Sequence, residues 1–278
     1  MIPPDRYQDA RYLRRNQYRE AGNLEARAAL HGRFSANPVD WFVWVCERLE
    51  LAPGMRVLEC GCGTGVQWRQ TAACLPPRLD LTLTDISAGM LTTARANLAG
   101  VDQPAVFAAA DIQSLPFGDD QFDLVLANHM LYHVADRPRA FAEVCRVLRP
   151  GGRFVAATNG LNHMRELFEL PAALGLEPPA ASQPHSAFSL ENGREQLESW
   201  FADVTLEPYP DHLEITAVEP LLAYALSSSE ARAFLTPALQ QQLRDHVTAV
   251  VAAEGAFRIQ KATGLFTAVH PRKTWSGA

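Results

Sequence analysis

The 278-residue chain is short of several things, and each shortage removes a class of function. Cysteine is scarce and odd in number: Cys46, Cys60, Cys62, Cys74 and Cys145. Most of these sit inside apolar runs, which points to reduced thiols in a cytosolic protein rather than a disulfide frame. Cys60 and Cys62 could hold a metal only with further ligands nearby. No second Cys/His pair supplies them, so they read as small apolar packing and no metal is expected. No run of eighteen apolar residues exists, and Met1-Ile2-Pro3-Pro4-Asp5 lacks the apolar core of a signal, so a cytoplasmic location without membrane contact is expected. Positive charge is also in deficit, with 25 Lys+Arg against 31 Asp+Glu and a net charge of −6. Such a chain is poorly suited to gripping phosphates, and nucleic acid is not an expected partner. The locally basic stretch to Arg33 reads as a solvated helix face. Repeats and low-complexity blocks are missing too. What remains, 47% hydrophobic and 20% charged, suits one elaborated domain or a domain with a smaller cap.

The informative stretch is Val57 to Gly65, V-L-E-C-G-C-G-T-G. An aliphatic run breaks into glycines at alternate positions, Gly61, Gly63 and Gly65, and a helical pattern follows. This predicts a strand, a loop where backbone approaches a ligand, and a helix N-terminus. Further strands are expected at Leu79–Thr84, Ala105–Ala109, Phe122–Ala127 and Phe154–Thr158, with helices at about Thr64–Cys74, Ser87–Leu98 and Asp136–Leu148. Strands separated by helices of this length mean a parallel sheet covered on both faces, with the loops after the strands sharing one edge. Upstream, Asp5 to Arg33 reads as helical with a break at Gly22-Asn23, and Asn37-Pro38-Val39-Asp40 as a helix start. Downstream, a helix is expected over Asn162–Leu174, a loop to Phe188, a short helix from Asn192, and a sixth strand over Val204–Leu213. Helices at Ala217–Leu226 and Pro237–Ala253 then precede strands at Phe257–Ile259 and Leu265–Val269, flanking a turn at Gly264.

The glycine pattern does not fit a dinucleotide loop, because the third glycine of G-x-G-x-x-G would fall on Val66. Nor does it carry the Gly-Lys-Ser/Thr of a phosphate-cradling loop. It resembles motif I of the class I S-adenosylmethionine-dependent methyltransferases. The similarity continues through Thr84–Leu91 (T-D-I-S-A-G-M-L), Ala109–Phe117 (A-A-D-I-Q-S-L-P-F), Phe122–Val134 (F-D-L-V-L-A-N-H-M-L-Y-H-V) and Arg146–Phe154 (R-V-L-R-P-G-G-R-F), in family order and spacing. The resemblance implies an α/β, Rossmann-like fold with a mostly parallel seven-stranded sheet and helices on both faces. An N-terminal helical lid and a helical cap after strand five would complete it. The divisions are residues 1–50 (lid), 51–160 (cofactor-binding core) and 161–278 (substrate-side cap plus the last strands).

The resemblance also implies roles. S-adenosyl-L-methionine would be the cofactor and S-adenosyl-L-homocysteine the product. Glu59, Gly61, Gly63 and Gly65 would meet its methionine part, Asp85 the ribose hydroxyls, Ile86 and Met90 the adenine face, and Asp111 with the Ile112 N–H the adenine edge. Asn128 would lie beside the sulfonium and methyl. Singly, Asp85 could be a cap and Asp111 a turn residue; placed together in one motif set, the cofactor roles are the expected ones. A finer similarity to a bacterial small-molecule subgroup rests on Tyr18–Ser35, Trp41–Val45, Trp68, Asn162-His163-Met164 and Phe188–Gly193. It implies that Tyr18 and Arg27 face the carboxylate end of the cofactor.

Histidine is the natural base near neutral pH for an acceptor that carries a proton. His133 with Tyr132, then His129 and His163, follow predicted strands on the ligand edge, and His31 is a more distant candidate. Capping or backbone contacts are their alternative roles. Leu167, Phe168, Phe188, Leu213, Tyr224 and Phe257 are candidate pocket lining, which suits a small, partly hydrophobic metabolite in biosynthesis, secondary metabolism included. The acceptor atom, O, N or C, is left open, and a homodimer is compatible with the sequence. RNA or protein methylation and a non-catalytic cofactor-binding module are the rival functions.

Overall fold

The computed structural model describes residues 29–173, 175, 184–227, 232 and 234–272. Tyr18 and Arg27 therefore lie outside the described residues, as does most of the expected lid.

Nine strands are described: β1 (Arg56–Cys60), β2 (Asp80–Asp85), β3 (Ala105–Ala109), β4 (Phe122–Asn128), β5 (Leu148–Asn159), β6 (Phe201–Pro208), β7 (His212–Ile215), β8 (Phe257–Gln260) and β9 (Thr263–Pro271). Seven form one sheet in the order β3-β2-β1-β4-β5-β9-β6. The first five are parallel, and β9 runs antiparallel between β5 and β6. This is the Rossmann-like, mostly parallel seven-stranded architecture expected from the motifs.

Alternation along the central strands sorts side chains between two cores. Leu58, Cys60, Val125, Ala127, Phe154 and Ala156 point to one face, where Phe141, Val144 and Cys145 of helix α4 pack on them. Val57, Leu124, Leu126, Val155 and Ala157 point to the other, covered by Trp44, Val45, Trp68, Leu91, Ala94 and Leu98. The covering helices are α1 (Trp41–Arg48), α2 (Val66–Gln70), α3 (Ala88–Leu98) and α4 (Arg137–Val147).

Several boundaries differ from expectation, each for a visible reason. Helix α1 is capped by Asp40, whose carboxylate accepts from the Phe42 N–H at 2.8 Å; Asn37 instead closes a local turn by accepting from the Val39 N–H at 2.9 Å. Helix α2 stops at Gln70, and Ala72–Cys74 is a separate 3-10 turn. At the break Thr71 Oγ1 donates back to the Gln67 carbonyl at 2.8 Å, a bond that bends helices. The expected sixth strand is two strands in two sheets. β6 joins the main sheet, the chain turns at Tyr209-Pro210-Asp211, and β7 pairs with β8 in a separate two-stranded sheet. Gly264 is no turn but a strand residue: a Cβ there would stand 2.9 Å from the Glu207 carbonyl of neighbouring β6.

After β5 come α5 (Arg165–Ala173), α6 (Gly193–Glu198), α7 (Val218–Ala225) and α8 (Pro237–Glu254). With the small sheet and helical residues 29–34, α5, α7 and α8 build a third apolar cluster that includes Leu30, Phe34, Met164, Leu213, Ile215, Leu222, Leu243, Val247 and Ile259. The cap is thus part sheet, not wholly helical. The segment 35–39 is tied to it by a buried ion pair: Asp211 takes Lys261 and, at 2.6 Å, the Ser35 hydroxyl, with both charged side chains almost wholly shielded.

Candidate active site

Where the strand order reverses direction, between β1 and β4, an open parallel sheet leaves a crevice at its carboxyl edge. The glycine loop stands there. Gly61, Gly63 and Gly65 have φ of +71°, +54° and +72°, the left-handed region that side chains rarely adopt. Gly61 and Gly65 also allow close packing, since a Cβ would stand 3.0 Å from Met130 Cβ and 3.1 Å from Leu98 Cδ1 respectively. At Gly63 an added Cβ would meet nothing within 4 Å among the described residues, so against these this point of the loop faces open space. A backbone cradle of this kind fits a ligand that approaches the main chain closely.

Asp85 ends β2 and fixes the loop. Its Oδ2 accepts from the Gly63 N–H at 3.0 Å and its Oδ1 from the Ser87 N–H at 2.7 Å. Burial raises its pKa, and these two N–H donors pull it back. Ser87, not Asp85, is the cap of α3, accepting from the Met90 N–H at 3.4 Å. Each carboxylate oxygen keeps a further lone pair for a diol. Ile86 is half-buried beside it, and Met90 is buried in the first turn of α3.

Glu59 is buried in β1, and its Oε2 accepts from Trp68 Nε1 at 2.6 Å. Burial pushes its carboxyl up to about 7; the Trp68 bond opposes this and Asp85 adds to it. Asp111 does close a turn, accepting at Oδ1 from the Gln113 N–H at 2.9 Å, and Ile112 is buried in the adjoining core. The thiols of Cys60 and Cys62 are buried and burial holds both far above the ordinary thiol range, so they stay protonated packing groups.

Asn128 ends β4. Its Nδ2 donates to Gln67 Oε1 at 3.3 Å, while its Oδ1 is shielded from water with no hydrogen-bond partner among the described residues. Sequence reasoning missed Gln67, whose one signal is a polar residue in the first turn after a ligand loop. It is buried, and its Nε2 donates to the Phe42 carbonyl of α1 at 2.9 Å.

The candidate histidines fall in three groups. His129 has φ +54°, donates its N–H to the Ala157 carbonyl at 3.1 Å, and sets its ring 5.2 Å from that of Trp41. Leu131–His133 is a 3-10 turn, and the His133 ring meets Tyr132 edge-on at 4.5 Å. His129 precedes that turn, so the two histidines do not share one helical face. His163 is buried after β5, stacked 6.1 Å from His31, which in turn lies edge-on to Tyr224 at 5.8 Å. The Ala262 N–H points at His163 Nδ1 at 3.3 Å, and the neighbouring Thr263 hydroxyl donates to Asn159 at 2.8 Å. Nδ1 must therefore be a lone pair, and neutral His163 carries its proton on Nε2. Of the expected lining, Leu213, Phe257, Leu167 and Tyr224 do belong to the cap cluster. Phe188 instead packs against Phe141 and Phe266 under the main sheet, and Phe168 is 54% exposed.

A backbone cradle, a carboxylate at the end of the second strand and a shielded amide at the end of the fourth define a cofactor-binding transferase of the α/β class. The methyltransferase-domain family profile matches residues 58–156. The 27-O-demethylrifamycin SV methyltransferase of Amycolatopsis mediterranei is 31% identical over 210 residues, which span 72% of this chain and 69% of that protein. The ubiquinone/menaquinone biosynthesis C-methyltransferase UbiE of Laribacter hongkongensis is 35% identical over 115 residues, 41% of this chain and 47% of UbiE. In fold, the chain is similar to Haemonchus contortus phosphoethanolamine N-methyltransferase 2 in complex with S-adenosyl-L-methionine. That match has a TM-score of 0.57 and 18% identity, and covers 98% of this chain and 61% of that one. Against these last two the chain spans less than two thirds of the relative's length. The chain belongs to the class I S-adenosylmethionine-dependent methyltransferases, and S-adenosyl-L-methionine is its cofactor. Among the described residues, no helix is long and apolar enough to cross a membrane.

Proposed function

We propose that this chain methylates an oxygen, nitrogen or carbon atom of a small, partly hydrophobic metabolite as a biosynthetic step. The observation that carries the reading is the group of His31, His163 and Tyr224, which borders the apolar cap cluster on the strand-end edge that also bears the glycine loop. A polar cluster against an apolar wall suits orienting one functional group of a mostly apolar molecule. The relatives whose names specify rifamycin and quinone chemistry support a small-molecule acceptor. RNA or protein acceptors are disfavoured by the net charge of −6, and a non-catalytic module by the intact motif set.

S-adenosyl-L-methionine supplies a methyl group already activated by its sulfonium, so the protein must align the nucleophile and exclude water. In this reading Gly61, Gly63 and Gly65 bring backbone to the methionine part, below which Glu59 lies. Asp85 takes the ribose hydroxyls, Ile86 and Met90 flank the adenine, and Asp111 and the Ile112 N–H read its edge. Tyr18 and Arg27 would hold the carboxylate end from a lid over residues 1–50, above a core of 51–160 and a cap of 161–278. His133, supported by Tyr132, is the first choice to take the acceptor's proton, and His129 the second. His163 serves better as a donor through Nε2 than as the base, because the Ala262 N–H occupies Nδ1. A cytoplasmic location belongs to the same reading, and a homodimer is open to sedimentation measurement.

The test is mass spectrometry for the gain of one CH2 across a metabolite panel that includes 27-O-demethylrifamycin SV and a demethylmenaquinol. Product from a small molecule supports the reading. Tight S-adenosyl-L-methionine binding with product only from RNA or protein substrates, or with none at all, overturns it.

A further inference from the structure

We propose that Gln67 is a positioning residue for methyl transfer: it turns the Asn128 amide so that Oδ1 accepts a hydrogen bond from the proton-bearing oxygen or nitrogen that is to be methylated. The inference rests on the methyltransferase reading and deepens it, favouring a hydroxyl or amine acceptor over a carbon nucleophile.

A chain of forced choices carries the argument. The Phe42 carbonyl can only accept, so the Gln67 amide must present its NH2 there, as it does at 2.9 Å. That leaves Gln67 Oε1 facing Asn128, which must answer with its own NH2, at 3.3 Å. The orientation of the Asn128 amide is thus fixed by a backbone carbonyl two side chains away, and Oδ1 is left over. That oxygen is shielded from water and has no hydrogen-bond partner among the described residues. An amide oxygen held in this state is costly unless a donor arrives, and so it marks a place where a ligand N–H or O–H belongs.

The location is equally constrained. Asn128 ends β4, in register with Ala157 of β5, beside the switch point where the glycine loop ends β1. The next residue, His129, takes the left-handed backbone at φ +54°, is tied to the Ala157 carbonyl and packs on Trp41. Strain held by surrounding contacts is a feature of sites that must keep one geometry. Gln67 reaches Asn128 from the first turn of α2, so α1, α2 and β4 share one hydrogen-bonded path. A neutral amide is no base. Its part is to aim the nucleophile's lone pair at the methyl carbon by holding a proton on the opposite side; the new bond to the methyl group would form as the cofactor's carbon–sulfur bond breaks, its electron pair staying on the sulfur, and the held proton would then leave to a base.

The test needs no knowledge of the acceptor. Sinefungin is an S-adenosyl-L-methionine analogue that carries an amine where the transferable methyl would be, and S-adenosyl-L-homocysteine carries nothing there. Calorimetry on the full-length protein should find sinefungin bound about tenfold or more tightly than S-adenosyl-L-homocysteine, the strength of one charge-assisted hydrogen bond. Asn128→Ala should bring that preference close to unity, and Gln67→Met should lower it several-fold. In both, S-adenosyl-L-homocysteine affinity should stay within about twofold of wild type, which a merely structural loss would not allow. The double variant should match Asn128→Ala, because Gln67 acts through it. A preference that survives Asn128→Ala overturns the proposal, as do additive effects in the double variant. Parallel losses for both ligands overturn it too, and would mean that the amide holds the amino-acid end of the cofactor or only the fold. Failure of the wild type to bind either ligand would strike at the cofactor site itself, a separate outcome.

Discussion

Replacing Glu59 with glutamine should make the ligand-free protein more stable at neutral pH and almost unchanged in mild acid. The carboxyl is 2% exposed and accepts a hydrogen bond from Trp68 Nε1 at 2.6 Å. Its ordinary pKa of 4.5 is pushed to about 7, chiefly by burial. A folded-state pKa above the unfolded value means that folding takes up a proton between the two. The group's contribution is therefore most favourable below pH 4.5 and is lost as pH rises through about 7. Each tenfold change in proton affinity is about 1.4 kcal/mol, so the full penalty is about 3 kcal/mol. Most of it, roughly 2.5 kcal/mol, develops between about pH 5 and about pH 8. Glutamine keeps an oxygen for Trp68 and cannot ionise, so Glu59→Gln should escape that loss. Urea unfolding at both pH values is the assay. With a slope of about 2–3 kcal/mol/M for a protein this size, the variant's midpoint should gain on wild type by about 1 M between the two conditions. Wild-type and variant curves that run parallel across pH would refute the reasoning, since they would show that the Glu59 proton affinity is the same folded and unfolded.

Three further outcomes follow from the site and its supports. Gly65→Ala places a Cβ at φ +72° and 3.1 Å from Leu98 Cδ1, and should cost about 1–3 kcal/mol in thermal unfolding; an unchanged melting temperature would show that the loop can relax. Lys261→Met strands the shielded Asp211 carboxylate and should cost about 3–5 kcal/mol, with Asp211→Asn in the same chain recovering part of it; no recovery would mean the loss is packing alone. With an acceptor from the metabolite panel, His163→Gln should retain more turnover than His163→Ala, because an amide N–H replaces the Nε2 donor; equal losses would favour a proton-abstracting His163.

The sheet was legible because its signals are local. Val57–Cys60, Leu81–Thr84 and Phe122–Ala127 are apolar runs that end in a glycine, an acid or an amide, and each strand stops where its run does. The misread positions are those decided by distant residues. The chain leaves the main sheet at Tyr209-Pro210-Asp211 because Asp211 is fixed by Ser35 and Lys261, residues 176 and 50 positions away. Gly264 looked like a turn, yet it is glycine to let β6 come close. Phe188 looked like pocket lining, and its ring belongs to the core beneath β5 and β9. The same limit hid Gln67, whose role depends on a carbonyl 25 positions before it and an amide 61 positions after it.

Backbone conformation separates the site from ordinary turns. Among the described residues, six non-glycine positions have positive φ: Glu50, Arg78, Asp120, His129, Met164 and His270. Four of them, Glu50, Arg78, Asp120 and His270, are exposed, where a turn residue can adopt that conformation with little else at stake. The other two follow the carboxyl ends of β4 and β5 and are held inside. Met164 is wholly buried in the cap cluster, donating its N–H to the Gln260 carbonyl at 2.9 Å, and His129 is set against Trp41. A non-glycine residue in this region costs about 1–2 kcal/mol, so each must be repaid by contacts that a looser arrangement would lose. For Met164 those contacts come from the cap. Its left-handed turn places His163 immediately beside it, next to His31 and Tyr224. The apolar cluster around Met164 therefore holds the segment after β5 so that His163 lies beside His31 and near Tyr224, as Gln67 and Trp41 hold the end of β4. Under the proposed function the same cluster would set both acceptor specificity and the alignment of the reacting edge, and changes in its core should alter turnover even where they touch no ligand.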